Sequence, residues 1–474
     1  MLPSLRTRLL EPIDAASLAA FRFLFGAILS VSSVRFLWNG WVERFYAQPT
    51  FFFKYWGFEW VRVLPEPWMT ASYVAMAVLA AFVAIGFLYR FSIVALFVLF
   101  TYVELIDVTN YLNHYYLVSL LAFLMCFLPL QRAYSVDRWL RPDRFAPVVP
   151  AWMLYLLRFQ IGVVYFYAGI AKLQPDWLLH AQPLGIWLAA RTETPVIGAL
   201  LTWPAIPHIM SWAGFLNDTL VVPFLLWRKT RPYAFATVAF FHLCTHLLFV
   251  IGVFPFLMVS GATLFFDADW PRRLIAQIRP APATARARPS EAPATKGATA
   301  GRWSTIGAAL VAVYCLFQVL MPLRGYLYSG DVLWHEQGMR YSWRVMVREK
   351  NGSIRYRVRW HGAERDIQVP ASRYLTSHQE REMSGQPDLI LQLARRIASD
   401  YEALGHEGVE VRVDALVSLN GRRAVPMIDP DVDLAHEPDT IAAMRWIAPS
   451  PASEPLPAYP TRRARVAESK RTSR

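Results

Sequence analysis

Lysine is scarce in this chain. Of 48 basic residues only six are lysine, namely Lys54, Lys172, Lys229, Lys296, Lys350 and Lys470. Arginine supplies the generic positive charge, so each lysine calls for its own reason. Cysteine is scarcer still: Cys126, Cys244 and Cys315 are the only three, and all fall in apolar runs. That pattern argues against a disulfide framework and offers no zinc-ligand spacing. Charged residues make up only 18%, against 55% hydrophobic and 15% aromatic, which argues against an ordinary soluble enzyme. No segment recurs at a fixed period, so a solenoid is not expected.

What the chain does have is long apolar stretches. Runs of roughly 17–25 residues suffice to cross a bilayer as helices. Nine candidates lie at 18–36, 70–88, 91–106, 115–130, 152–171, 208–227, 233–250, 252–268 and 304–321. Several are short or abut, so eight or nine spans are expected. The first is not a cleaved signal peptide, because bulky aromatics follow where small residues should stand. With the amino end inside, the inner segments hold 17 Lys and Arg and the outer segments 5. Basic loops favour the cytoplasm. The expectation is a multi-pass membrane protein, with a cytoplasmic N-terminus and everything after Met321 extracytoplasmic. Composition rich in Arg and Ala suggests a bacterial inner membrane. The net charge of +13 is mostly loop arginine, and no nucleic-acid partner is implied.

The fold class expected is thus a polytopic α-helical membrane bundle of about 8–9 spans followed by a small α+β extracytoplasmic domain. The bundle occupies 1–278, a Pro- and Ala-rich disordered cytoplasmic linker 279–303, and a last span 304–321. The α+β domain takes 322–447 and a disordered basic tail 448–474. Within that domain Asn351-Gly352 predicts one hairpin, joining Tyr341–Lys350 to Ser353–Trp360, and Asn420-Gly421 predicts another. Residues Arg373–Leu404 are expected to be mostly helical.

Lys172 closes the apolar run Trp152–Ile170. A lysine can lose its proton when partly desolvated, whereas an arginine effectively cannot, so Lys172 is a candidate base. The alternative is an anchor snorkelling to the bilayer surface. Other polar groups stand at the same ends of spans: Asp107, Asn113 and His114; Gln174 and Asp176; Asn217 and Asp218; and His242 with His246. Ionisable groups within spans are costly and usually face one another or a substrate path. His242 and His246 have one-turn spacing, but no third ligand is evident and no metal is expected. Asp218 is expected to pair with an intramembrane arginine such as Arg22, Arg35 or Arg158. Asn113 can also be read as a helix cap.

The string from Asp107 through Asn113-His114-Tyr115, then Leu157-Arg158, Val164-Tyr165-Phe166, Ala168-Gly169, Lys172-Leu173 and Asp176-Trp177, resembles the vitamin K-dependent γ-glutamyl carboxylase family. The likeness continues through Phe241-His242, Trp270-Pro271-Arg272, Tyr341-Ser342-Trp343 and Asp429-Pro430, covering most of 20–435 in order. It implies oxidation of a reduced vitamin K, phylloquinol or menaquinol, with O₂ to the epoxide. The strong base so generated removes a γ-proton from peptide glutamate, and the carbanion takes up CO₂.

The resemblance places the catalytic lysine on Lys172 and the histidine that assists at the quinone on His114. Asn113, Asp107, Arg158 and His242 are then candidates to support the quinone and its oxyanion. Trp343, Arg348 and Arg357 are candidates for a peptide groove, although the alternating arginines also read as one solvated sheet face. The implied partners are the lipid bilayer, a naphthoquinone and a glutamate-containing exported peptide. Elementary chemistry agrees, since a buried lysine suits deprotonation of a hydroquinone and a dry hydrogen bond stabilises an oxyanion.

This chain has Ala171-Lys172 where members of the family carry two adjacent lysines. It also lacks cysteine in 37–68, so the disulfide that ties this loop to the outer domain in animal members is not expected. It stops soon after Asp429-Pro430, whereas animal members continue further. Two other readings stand beside carboxylation. One is quinol epoxidation without protein carboxylation. The other is a non-enzymatic scaffold or transporter, in which Lys172 pairs with a carboxylate and lines no pocket.

Overall fold

The protein is described from a computed structural model covering residues 5–249, 251–278 and 305–457. The expected linker at 279–303 and the tail from 458 onward lie outside the described residues. The apolar runs become the helices α1 (Ala16–Trp38), α2 (Glu66–Ile85), α3 (Tyr89–Glu104), α4 (Asn113–Phe127) and α5 (Trp152–Lys172). They are followed by α6 (Ala205–Leu226), α7 (Arg231–Leu248), α8 (Phe254–Ala262) and α9 (Thr305–Leu320). Five of the described helices are long and apolar enough to cross a membrane; the segments of α4 and α8 are shorter apolar helices.

Local chemistry sets the helix ends. Pro67 opens α2 at a position where its missing N–H costs nothing, and Gly86 ends it at φ +67°. A side chain on Gly86 would collide with the Arg22 guanidinium, which is buried and donates to the Tyr134 carbonyl at 2.5 Å. Neighbouring helices pack as antiparallel pairs. Gly26 lets α1 lie against α2, since a Cβ there would stand 2.5 Å from the Ala80 oxygen and the Ala84 nitrogen. On the other side of the bundle, α9 leans on α5: Tyr314 donates to Gln160 at 2.6 Å and Tyr167 to the Val319 carbonyl at 2.5 Å.

The C-terminal domain is built on a four-stranded antiparallel sheet ordered β2-β1-β3-β4, with β1 Lys350–Arg359, β2 Ile367–Val369, β3 Glu410–Leu419 and β4 Val425–Pro426. Alternate residues of β3, from Val411 to Leu419, are buried, as period-two patterning requires. The helices α10 (Ser377–Met383) and α11 (Pro387–Ala403) complete the domain. The face of α11 formed by Leu389, Leu393 and Ile397 is fully buried.

The Asn420-Gly421 hairpin is present, with φ values of 48° and 80° at the two turn residues. Asn351-Gly352 is not a turn. The strand β1 runs straight through it, pairing Asn351 with Ser418 and Gly352 with Val417. Glycine serves there for close approach, because a Cβ on Gly352 would strike the Ser384 backbone.

This domain is bonded to three separate parts of the helical bundle. Gln392 makes a two-way amide contact with the backbone of Lys54, at 2.8 and 2.9 Å. Gln379 donates to Asp107 Oδ2 and to the Phe51 carbonyl, both at 2.8 Å. Asp176 receives Arg422 through two bonds of 2.6 Å and Asn420 at 2.9 Å.

Candidate functional site

The C-terminal end of α5 and the middle of α6 meet at Gly169. A Cβ on that residue would lie 2.8 Å from Thr219 Oγ1 and 3.2 Å from the Thr219 nitrogen. The bare glycine therefore allows the close helix contact that brings Lys172, three residues on, to Asp218. The Lys172 Nζ lies 2.7 Å from Asp218 Oδ2, with both side chains more than nine-tenths buried. It also donates to the Ala168 carbonyl at 3.2 Å and sits 5.3 Å from the centre of the Trp177 ring. Asp218 thus pairs with Lys172 and not with an arginine. Arg22 and Arg158 are spent on backbone carbonyls, Arg158 on Leu264 and Phe266 at 2.8 and 2.9 Å.

This ion pair lines an apolar slot of about 70 Å³, walled by Tyr165, Trp177, Met210, Phe241 and His242. His242 Nε2 is 3.1 Å from the Tyr165 hydroxyl, and its buried Nδ1 has no partner. His246, one turn on, is exposed and packs on Phe256. Among the described residues no group of three His, Cys, Asp or Glu is placed to hold a metal.

His114 lines a neighbouring cavity of about 600 Å³. The two spaces share Ile251, Phe254, Val345 and Met346 as a common wall. The Phe254 ring is 5.8 Å from the His114 ring on one side and 5.8 Å from the His242 ring on the other. Lys172 and His242 therefore occur together, while His114 faces them across a wall one side chain thick. Asn113 lines the His114 cavity and accepts from the Tyr111 hydroxyl at 3.1 Å.

The remaining candidates lie elsewhere. Asp107 lines neither space; it is clamped by Thr109 and Gln379, and burial pushes its carboxyl up despite those hydrogen bonds. Arg158 precedes Lys172 by fourteen residues on α5, about 21 Å at the α-helical rise, and holds the opposite end of the bundle. Trp343 is fully buried, stacked on Tyr116 at 5.1 Å. Arg348 pairs with Glu336, and Arg357 with Asp414 at 3.1 Å and the Pro430 carbonyl at 2.9 Å.

Sequence reasoning missed Tyr165, the partner of His242, and Arg422, the partner of Asp176. Tyr165 falls seven residues before Lys172, two helical turns along the same face, which was a usable signal. Arg422 carried none, being one of many arginines.

Between the two domains, His378 on α10 packs edge-on against Phe45 at 5.0 Å. Burial, then the nearby Arg381 and Arg44, lowers its pKa to about 4. The unfolded chain binds that proton nearer 6.5, so stability falls as pH drops from 6.5 towards 4. Thermal unfolding in nanodiscs is expected to show a lower midpoint at pH 5 than at pH 7, and His378→Phe should reduce the difference.

Comparison with known families agrees with this architecture. Residues 10–270, the helical bundle, match the model of the HTTM domain. Residues 303–453 match the model of the lumenal domain of vitamin K-dependent gamma-carboxylase. The chain belongs to the vitamin K-dependent γ-glutamyl carboxylase family. No solved structure matches it.

Proposed function

We propose that this protein is a membrane-bound enzyme that oxidises a naphthohydroquinone with O₂ to its epoxide and uses the base so generated to carboxylate peptide glutamate with CO₂. One observation carries the reading. A buried lysine–carboxylate pair in a largely apolar slot adjoins, across Phe254 and Met346, a large cavity lined by His114. A cavity of about 150 Å³ is what one benzene ring needs. The slot is thus too small for a fused ring system, and the 600 Å³ cavity is not. The fit to a reduced vitamin K rests on that size, on the aromatic walls and on the unpartnered buried Nε2 of His114.

In this arrangement His114 Nε2 bonds the ring oxygen, and Phe254 and Met346 are the side chains to be displaced for the two spaces to join. Met346 is unbranched and adapts readily. Lys172 Nζ, held 2.7 Å from Asp218 Oδ2, is the group of the slot placed to act as base towards the hydroquinone. The site lies at the end of the bundle that meets the C-terminal domain, and we place that end on the extracytoplasmic face, with the amino end cytoplasmic.

A second reading, epoxidation without carboxylation, is favoured by the groove candidates. Trp343 is buried, and Arg348 and Arg357 are already paired. The test is purified protein in nanodiscs given vitamin K hydroquinone, O₂, labelled bicarbonate and a glutamate peptide. Epoxide with fixed label is expected. Epoxide alone selects the second reading, and neither product overturns both.

A further inference from the structure

Three arginines, Arg35, Arg44 and Arg381, line the cavity beside His114, and neither the lysine site nor the family comparison uses them. Arg35 stands near the end of α1, with its guanidinium carbon 5.3 Å from the Trp41 ring centre. Among the described residues no carboxylate pairs with the exposed Arg35, nor with Arg44 at the same cavity, whereas Arg381 pairs with Glu382, Arg340 with Asp388 and Arg422 with Asp176. His114 Nε2 is buried and without a partner. Both groups border the bare face of Gly252. A Cβ placed there would lie 3.4 Å from His114 Nε2 and 3.9 Å from Arg35 Nη2. Gly252 sits at φ +59°, where a larger residue is strained, so the gap between imidazole and guanidinium stays open.

The gap itself is bordered by nitrogen. Two nitrogen groups converge on it, one permanently cationic, and Phe36, Phe100, Tyr115 and Phe254 line the same cavity. Glu104 and Glu382 also line it, with Arg44 and Arg381. We propose that Arg35 and His114, across Gly252, form a subsite for an oxygen anion borne on an aromatic ring. Arg35 is the group that makes the site prefer the ionised ligand. The proposal rests on the quinone reading above and deepens it. A permanent cation 3.9 Å from the would-be side-chain position of Gly252 favours the ionised form of an aromatic oxygen over the neutral one there.

The test compares two unreactive probes on the intact protein in nanodiscs. One is a 2-hydroxy-3-alkyl-1,4-naphthoquinone, ionised at neutral pH. The other is the 2-methyl analogue with the same tail, which is neutral. Binding is read by quenching of tryptophan fluorescence, so no turnover is required. Wild type is expected to bind the anion at least about tenfold more tightly than the neutral probe. Arg35→Gln should abolish that preference and leave affinity for the neutral probe unchanged. Arg35→Lys should keep part of it, and Arg44→Gln, at the same cavity, should keep nearly all.

Equal binding of the two probes by wild type, with the neutral probe still bound, would sink the subsite and leave the quinone reading standing. Persistence of the preference in Arg35→Gln would sink it too. If Arg35→Gln instead loses affinity only for a glutamate peptide, the anion is a carboxylate and the aromatic assignment is wrong. Failure of both probes to bind wild type would overturn the subsite and the quinone reading together.

Discussion

Lys172→Met is expected to abolish epoxide formation, by at least about a hundredfold, the scale of a lost general base. It should also cost about 3–5 kcal/mol of stability, because it strands the Asp218 carboxylate in an apolar slot. These two effects can be separated. Adding Asp218→Leu removes the stranded charge, and replacing a buried ion pair by apolar residues is often neutral for stability. The double variant Lys172→Met/Asp218→Leu should therefore recover most of the unfolding midpoint in nanodiscs while remaining inactive. Were the double variant both stable and active, the amine would be structural. The pairing with a carboxylate is what the scaffold reading anticipates; the slot around the pair is what it does not.

The second large effect concerns the joint between domains. Arg422→Ala removes both bonds to Asp176 and leaves that carboxylate buried with Asn420 alone. Truncating one member of such a pair costs about 2–5 kcal/mol. The consequence should travel further than the joint, because Asp176 precedes Trp177, and the Trp177 ring roofs the Lys172 amine. Trp177 is itself held by exchange with Ser211, its Nε1 donating to the Ser211 carbonyl at 2.9 Å. Hydrogen exchange is expected to rise in β3, β4 and the 174–178 segment together. Protection unchanged in 174–178 would show that the sheet domain does not hold the roof of the slot.

Much of the architecture was legible because apolar run length is a strong signal and needs no tertiary information. Every run found in the sequence became a helix, although several are shorter than a full crossing. The two Asn-Gly pairs show the limit of local signals. Asn420-Gly421 turns because both residues take left-handed φ at the end of a strand pair. Asn351-Gly352 does not, because β3 supplies partners on both sides of it and Ser384 presses on the glycine.

The site divides in the same way. Lys172 stood out through the scarcity of lysine, but its partner lies 46 positions away on another helix. That distance is closed by a glycine contact that no periodicity reveals. Arg158 looked suitable by type and was excluded only by position, since a helix of 21 residues has two ends.

The three attachments of the sheet domain also bear on assembly. They involve Lys54 and Phe51, Asp107, and Asp176, segments that leave the ribosome long before the domain does. Because synthesis proceeds from the amino end, the last part of the chain to emerge can seat only if the earlier loops are already in register with one another. Its docking is in effect a checkpoint for the insertion that precedes it: a misinserted bundle would leave the latecomer loose and open to proteases.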